Sequence, residues 1–97
     1  MDNKLSIIIP VWNEENNIKE LVKQIDNSLL KNRITYEIIF VDDDSNDKTK
    51  EEIKSLINDF PVKLFSKIGK KGKAYSLLEG FSYAKHDIVC MIDADLQ

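Results

Sequence analysis

Three polar clusters carry the residue types that could do chemistry in this chain: Pro10-Val11-Trp12-Asn13-Glu14, Asp42-Asp43-Asp44-Ser45-Asn46-Asp47 and Asp93-Ala94-Asp95-Leu96-Gln97. In the last of these an extended backbone would point Asp93, Asp95 and Gln97 to one side at steps of about 6.5–7 Å, with small Ala94 between the acids. Two carboxylates aimed together repel unless a cation lies between or near them. Oxygen-only ligands select a hard ion, Mg²⁺ or Mn²⁺, rather than zinc. Two carboxylates leave an octahedron incomplete, so waters or phosphate oxygens must supply the rest. The pair therefore suits a divalent metal that holds a diphosphate, with Asp93, Asp95 and Gln97 as candidate ligands.

The triple aspartate admits several uses. A carboxylate there can hold a metal, accept an N–H from a nucleobase, or cap the following helix, whose N-terminal partial charge favours anions. Asp43 is the better candidate for the base, and Ser45 or Asp47 for the cap. Trp12 suits stacking on a base or ribose and equally suits burial as a structural indole. The run Gly69-Lys70-Lys71-Gly72-Lys73-Ala74 fails the Walker phosphate-loop pattern. Only two residues separate its glycines, and Ala74 stands where a Ser or Thr would hold Mg²⁺. It reads either as a solvated basic turn opening a helix, or as a lysine, Lys73, near a diphosphate at the helix N-terminus. No Gly-x-Gly-x-x-Gly follows a strand, which disfavours a dinucleotide oxidoreductase. His86, the single histidine, lacks a partner pattern and reads as structural, and Cys90, the single cysteine, reads as a core residue.

Clusters so far apart in sequence act together only if a scaffold gathers them. Four short runs rich in Ile, Val and Phe, Leu5 to Val11, Tyr36 to Val41, Val62 to Phe65 and Ile88 to Ile92, are nearly continuous rather than alternating. That is how strands covered on both faces read. Between them fall three helical patterns: Ile18, Leu21, Val22, Ile25 and Leu29; then Ile53, Leu56, Ile57 and Phe60, with Pro61 as a stop; then Ala74, Leu77, Leu78 and Phe81. The order β-α-β-α-β-α-β implies a mostly parallel sheet of about four strands in a three-layer α/β/α, Rossmann-like sandwich with right-handed crossovers. In such a sheet ligands bind beyond the carboxyl ends of the strands, where the strand order reverses. All three polar clusters follow strands, so they converge on one rim.

Composition bounds the alternatives. The chain has 97 residues, 42% apolar and 32% charged, with 14 basic against 17 acidic side chains and a formal charge of −3. This reads as one globular domain and excludes disorder and a nucleic-acid binder that works through its overall field. One cysteine excludes an internal disulfide framework and a multi-cysteine zinc site. No stretch approaches the roughly 18 apolar residues of a membrane span, and no signal-peptide pattern opens the chain. The expected location is cytoplasmic.

The residues also resemble a family. Ile8-Ile9-Pro10-Val11-Trp12-Asn13-Glu14-Glu15, Ile38-Ile39-Phe40-Val41-Asp42-Asp43-Asp44-Ser45-Asn46-Asp47, Gly72-Lys73-Ala74 and Met91-Ile92-Asp93-Ala94-Asp95-Leu96-Gln97 look like the ordered motifs of family 2 glycosyltransferases. The nearest flavour is that of the polyprenyl-phosphate sugar synthases. The resemblance implies a GT-A fold and transfer of a hexose from a UDP- or GDP-sugar, usually with inversion, to an acceptor such as a lipid phosphate or a saccharide. By motif position it implies that Pro10, Trp12, Glu14, Asp43 and Lys73 bind the nucleotide. It likewise implies that Asp93, Asp95 and Gln97 surround a Mg²⁺ or Mn²⁺ ion on the diphosphate.

Three residues depart from the family pattern: Trp12 stands where Tyr is more usual, Asp44 where Gly is, and Lys70 where many relatives have Gly. The family continues past the metal motif with the acceptor site and a general base. Residues 1–97 are therefore expected to be the donor-binding part of a truncated domain, inactive alone, and prone to self-association through apolar surface the remainder would cover. The longer protein is expected at the cytoplasmic membrane face. Two other classes fit the acidic rim, a receiver-like phospho-signalling domain using Mg²⁺ and a non-catalytic nucleotide-binding module.

Overall fold

The computed structural model describes residues 3–68 and 72–94. Strands β1 (Lys4–Val11), β2 (Thr35–Asp42), β3 (Val62–Ser66) and β4 (Ile88–Met91) alternate with helices α1 (Ile18–Lys31), α2 (Thr49–Lys54) and α3 (Lys73–Tyr83). The strands form one sheet in the order β3-β2-β1-β4, and every pairing is parallel. The chain first steps outward from β1 to β2 to β3, then returns past β1 to lay β4 on its other side. With right-handed crossovers that reversal puts α1 and α2 on one face and α3 on the other.

Side-chain alternation along the strands divides the core accordingly. Ile7, Ile9, Val11, Ile38 and Phe40 pack with Ile18, Leu21, Val22 and Ile25 of α1 and with Ile53 and Leu56. Ile8, Ile39 and Val41 face the other way, with Phe65, Leu77 and Tyr83 packed around them. The central strands are buried on both faces, which is why they read as continuous apolar runs. Each fully buried Ile or Val contributes about 1.5–3 kcal/mol of transfer free energy. The outer strands are less covered: Ile88 and Met91 of β4 are exposed, and Lys63 of β3 faces solvent. Cys90 is half-buried against the α1 side of the core.

Two helical patterns need correction. Helix α2 is only six residues long, so Ile53 and Leu56 are buried while Ile57 is exposed. Helix α3 turns a different face to the sheet than its large apolar residues suggest. Leu78, 64% exposed, and Phe81 point outward, whereas Ser76 is buried, Gly80 meets the sheet and Leu77 is half-buried. Small residues four apart let the helix backbone approach β1, and that proximity outweighs the burial that Leu78 and Phe81 would have gained. A Cβ built on Gly80 would lie 2.4 Å from Ile8 Cγ2 and 3.3 Å from Val41 Cγ2. Both neighbours are fully buried β-branched side chains with nowhere to move. Gly80→Ala is therefore expected to destabilise the fold by about 1–3 kcal/mol in urea titration, against the gain Ala brings to an open helix position.

Among the described residues no helix is long and apolar enough to cross a membrane.

Candidate functional site

The strand order reverses at β1 and β4, and a cavity of about 180 Å³ opens at the carboxyl end of β1. It is lined by Pro10, Val11 and Trp12 from the end of β1, Glu14 from the loop beyond, Asp43 after β2, Ser76 from α3 and Ala94 after β4. Pro10, Trp12, Glu14 and Asp43 are thus brought together as expected, although the first and last of them are separated by α1 and β2. Trp12 is 58% exposed, so the indole is a surface at the cleft and not a core side chain. Asp93 is exposed and immediately precedes Ala94, which is buried in the cavity wall. Ala94 sits in a turn, so the extended geometry considered for the Asp-x-Asp segment does not run on from β4. Asp95 and Gln97 lie outside the described residues. Lys73 is the first residue of α3 and its side chain lies outside them too.

Most of the acidic loop after β2 is occupied in fastening the first loop to it. Asn13 N–H donates to Ser45 Oγ (2.9 Å), Asn46 N–H to Asn13 Oδ1 (2.9 Å), Glu14 N–H to Thr49 Oγ1 (2.8 Å) and Glu15 N–H to Asp47 Oδ2 (3.3 Å). Buried Asp42 accepts the Ser45 N–H at 2.9 Å and faces Lys50 Nζ at 3.6 Å. The N-cap position of α2 is Lys48, without a side-chain bond, so neither Ser45 nor Asp47 occupies it. Asp47 nevertheless does a cap's work by accepting the Thr49 N–H at 2.9 Å. What burial the Asp47 carboxyl has raises its pKa, but its bonds from the Thr49 hydroxyl and from the Thr49 and Glu15 N–H groups outweigh this and lower it. Asp44 adopts φ 64°, the left-handed region that Asp tolerates better than most residues. The departure from glycine there keeps the turn.

Asp43 alone of this loop reaches the cleft wall, and it is held there. Its Oδ2 accepts the Gly72 N–H at 2.9 Å, and its Oδ1 lies 3.7 Å from Lys67 Nζ. Lys67 also donates to Gly72 O at 3.0 Å, and its ammonium stands 5.5 Å from the Tyr75 ring centroid. The Lys67 side chain is 2% exposed and that of Asp43 18%. Gly72 sits at φ 123°, a conformation side chains rarely adopt, and this lets the chain enter α3 with its N–H aimed at Asp43. Sequence reasoning missed Lys67 and Ser76. A buried lysine just past a strand has no local signature, and a serine in a helix looks like surface.

Among the described residues no group of three or more His, Cys, Asp and Glu side chains could hold a metal by itself. Asp93, exposed and next in sequence to the cavity-lining Ala94, offers a carboxylate, a ligand type that fits a hard divalent ion completed by phosphate and water.

The topology and the cleft together define an open, doubly wound parallel α/β domain with a cavity at the strand switch point, where folds of this class bind ligands. The family follows from comparison: residues 6–97 match the family model described as Glycosyl transferase family 2, and the chain belongs to that family. It is 43% identical over 94 residues to a dolichol-phosphate mannosyltransferase of Pyrococcus furiosus, covering 97% of this chain and 26% of that protein. It is 36% identical over 96 residues to an undecaprenyl-phosphate 4-deoxy-4-formamido-L-arabinose transferase of Pseudomonas fluorescens, covering 96% and 28%. The mannosyltransferase PcManGT from Pyrobaculum calidifontis, solved in complex with GDP-Man and Mn²⁺, superposes with a TM-score of 0.80 at 26% identity, covering 98% of this chain and 28% of that one. The fold is thus of the GT-A type, and the chain spans little more than a quarter of the length of these relatives. The receiver-like reading falls with the family assignment.

Proposed function

We propose that residues 1–97 are the donor-binding part of a glycosyltransferase that moves a sugar from a UDP- or GDP-sugar to a polyprenyl phosphate. The observation that carries this is the cleft at the switch point, where an exposed indole and a fixed carboxylate share one wall. In this reading Trp12 stacks on the base or ribose, Asp43 accepts a base N–H, and Pro10 and Glu14 complete the pocket. Asp43 already accepts one N–H and faces one ammonium, but a carboxylate has about four acceptor sites, so capacity remains. Asp93 with Asp95 and Gln97 would hold Mg²⁺ or Mn²⁺ against the diphosphate. When bound, that ion neutralises the departing nucleotide diphosphate. The polyprenyl phosphate acceptor rests on the relatives, two of which are named for dolichol and undecaprenyl phosphates.

Trp12 is the single tryptophan and lines the cleft, so its fluorescence reports on occupancy. Titration with UDP and with GDP, each with and without Mn²⁺, is expected to give saturable quenching by at least one nucleotide. Asp43→Asn keeps an acceptor for the Gly72 N–H but removes the charge, and should weaken that nucleotide about 10-fold or more, the worth of a charge-assisted hydrogen bond. A flat response to both nucleotides in all conditions would sink the reading.

A further inference from the structure

Helix α3 carries a hydroxyl that the fold leaves unused. Ser76 is fully buried, and its Oγ has no hydrogen-bond partner. Such a group has given up its bond to water and received nothing in return, which in a native structure calls for an explanation. The usual outlet for a helical serine is the carbonyl four residues earlier. Here that carbonyl, Gly72 O, already accepts the Ser76 N–H at 3.1 Å and Lys67 Nζ at 3.0 Å, which uses both of its lone pairs. The same lysine that faces Asp43 thus occupies the acceptor that Ser76 would use on Gly72.

Ser76 lines the cleft together with Trp12, Glu14 and Asp43. The cavity is about 180 Å³, and a single water needs only ~10–15 Å³ on a comparable measure, so the space suits something larger. Its wall carries two carboxylates, which repel a phosphate and welcome N–H donors. Against those acceptors, the Ser76 hydroxyl and the Trp12 indole N–H are the side-chain donors of the lining. A nucleobase edge presents an N–H beside a carbonyl or ring nitrogen, and so needs an acceptor and a donor side by side.

Resting on the donor-site reading above, we infer that Ser76 Oγ hydrogen-bonds the polar edge of the donor's nucleobase, beside Asp43, and so helps to select the nucleotide. Because Ser76 Oγ is closed to solvent in the empty fold, this needs the side chain to rotate about χ1 toward the cavity as the base enters. The hydroxyl would be left unsatisfied in the empty fold because its partner is the ligand.

The test is Ser76→Ala, compared with the unmodified chain in thermal melts and in calorimetric titrations with UMP, GMP and inorganic pyrophosphate in Mn²⁺. Removing an orphan hydroxyl and adding a better helix former should leave Tm unchanged or raise it. The same change should weaken the preferred nucleoside monophosphate roughly 3- to 10-fold and leave pyrophosphate unaffected, a combination that a structural role would not produce. Equal affinity of both proteins for UMP and for GMP overturns the inference while leaving the donor cleft standing. So does a lowered Tm in the variant, since the hydroxyl would then be serving the fold. Absence of nucleotide binding in the unmodified chain removes the donor-cleft reading itself, and this inference with it.

Discussion

Replacing Glu37 by alanine is expected to lower the unfolding free energy by about 2–4 kcal/mol, mostly from the hydrogen bonds its buried carboxylate accepts, since the partly exposed Lys63 regains water. Glu37 lies in the middle of β2 and is buried. Its Oε2 accepts from Ser6 Oγ at 2.6 Å and from the Lys85 N–H at 2.8 Å, and its Oε1 accepts from Lys63 Nζ at 2.9 Å. Ser6 Oγ in turn accepts the His86 N–H at 3.1 Å. One carboxylate thus ties β1, β2 and β3 to the segment that delivers β4. The structural role expected for His86 is carried by its backbone. Alanine would take the carboxylate partner from Lys63, from the Lys85 N–H and from the buried Ser6 hydroxyl. Urea titration of Glu37→Ala checks the magnitude, and a loss under 1 kcal/mol would contradict it.

The same residue makes stability depend on pH. Burial raises the Glu37 pKa, but the bonds from Ser6, the Lys85 N–H and Lys63, with the Lys63 charge, outweigh it and bring it below its ordinary value of 4.5. A carboxylate whose folded pKa is depressed contributes fully above the unfolded value and loses that contribution as pH falls through the folded one. The unmodified chain should therefore lose stability on acidification below about pH 4.5. Glu37→Gln should be less stable at neutral pH and flatter across that window, as read from Tm against pH.

Lys67→Met is expected to cost about 3 kcal/mol, the low end for a broken buried pair, because Asp43 keeps some solvent contact and the Gly72 N–H. The side chain is almost wholly buried, and methionine fills similar volume, so the loss reports charge and hydrogen bonding more than packing. Nucleotide binding should weaken as well, since Lys67 holds both Asp43 and Gly72 in place. The double readout is a denaturation curve and a Trp12 fluorescence titration on one sample. Normal stability together with normal nucleotide affinity would show that the Lys67–Asp43–Gly72 bracket is incidental.

The elements were legible because they depend on local periodicity. Continuous Ile-rich runs such as Ile7-Ile8-Ile9 and Ile38-Ile39-Phe40-Val41 bury both faces of central strands. Ile18, Leu21, Val22 and Ile25 mark one face of α1 at helical spacing. Asp43 and Trp12 could be grouped because parallel strands joined by helices always present their carboxyl ends on one side. The face of α3 was not legible. Hydrophobicity favoured Leu78 and Phe81, but the close approach of Gly80 to Ile8 set the orientation, and that contact joins residues 72 positions apart. Glu37, Lys67 and Ser76 were invisible for the same reason. Each is defined by partners that the fold supplies from elsewhere, or in the case of Ser76 by a partner it withholds.

Order of elements, handedness and the rim where the polar loops meet are therefore properties of the amino-acid string, because apolar spacing and chain chirality admit few other arrangements. Which acids became fasteners and which reached the cleft was settled only when the chain closed on itself. Asp42, Asp43 and Asp47 are chemically alike and nearly adjacent, yet one is sealed between strand and loop, one is held at the cleft wall beside a buried lysine, and one accepts the first N–H of a helix it does not join. That division depends on burial and on the nearest donor, quantities that exist only in three dimensions.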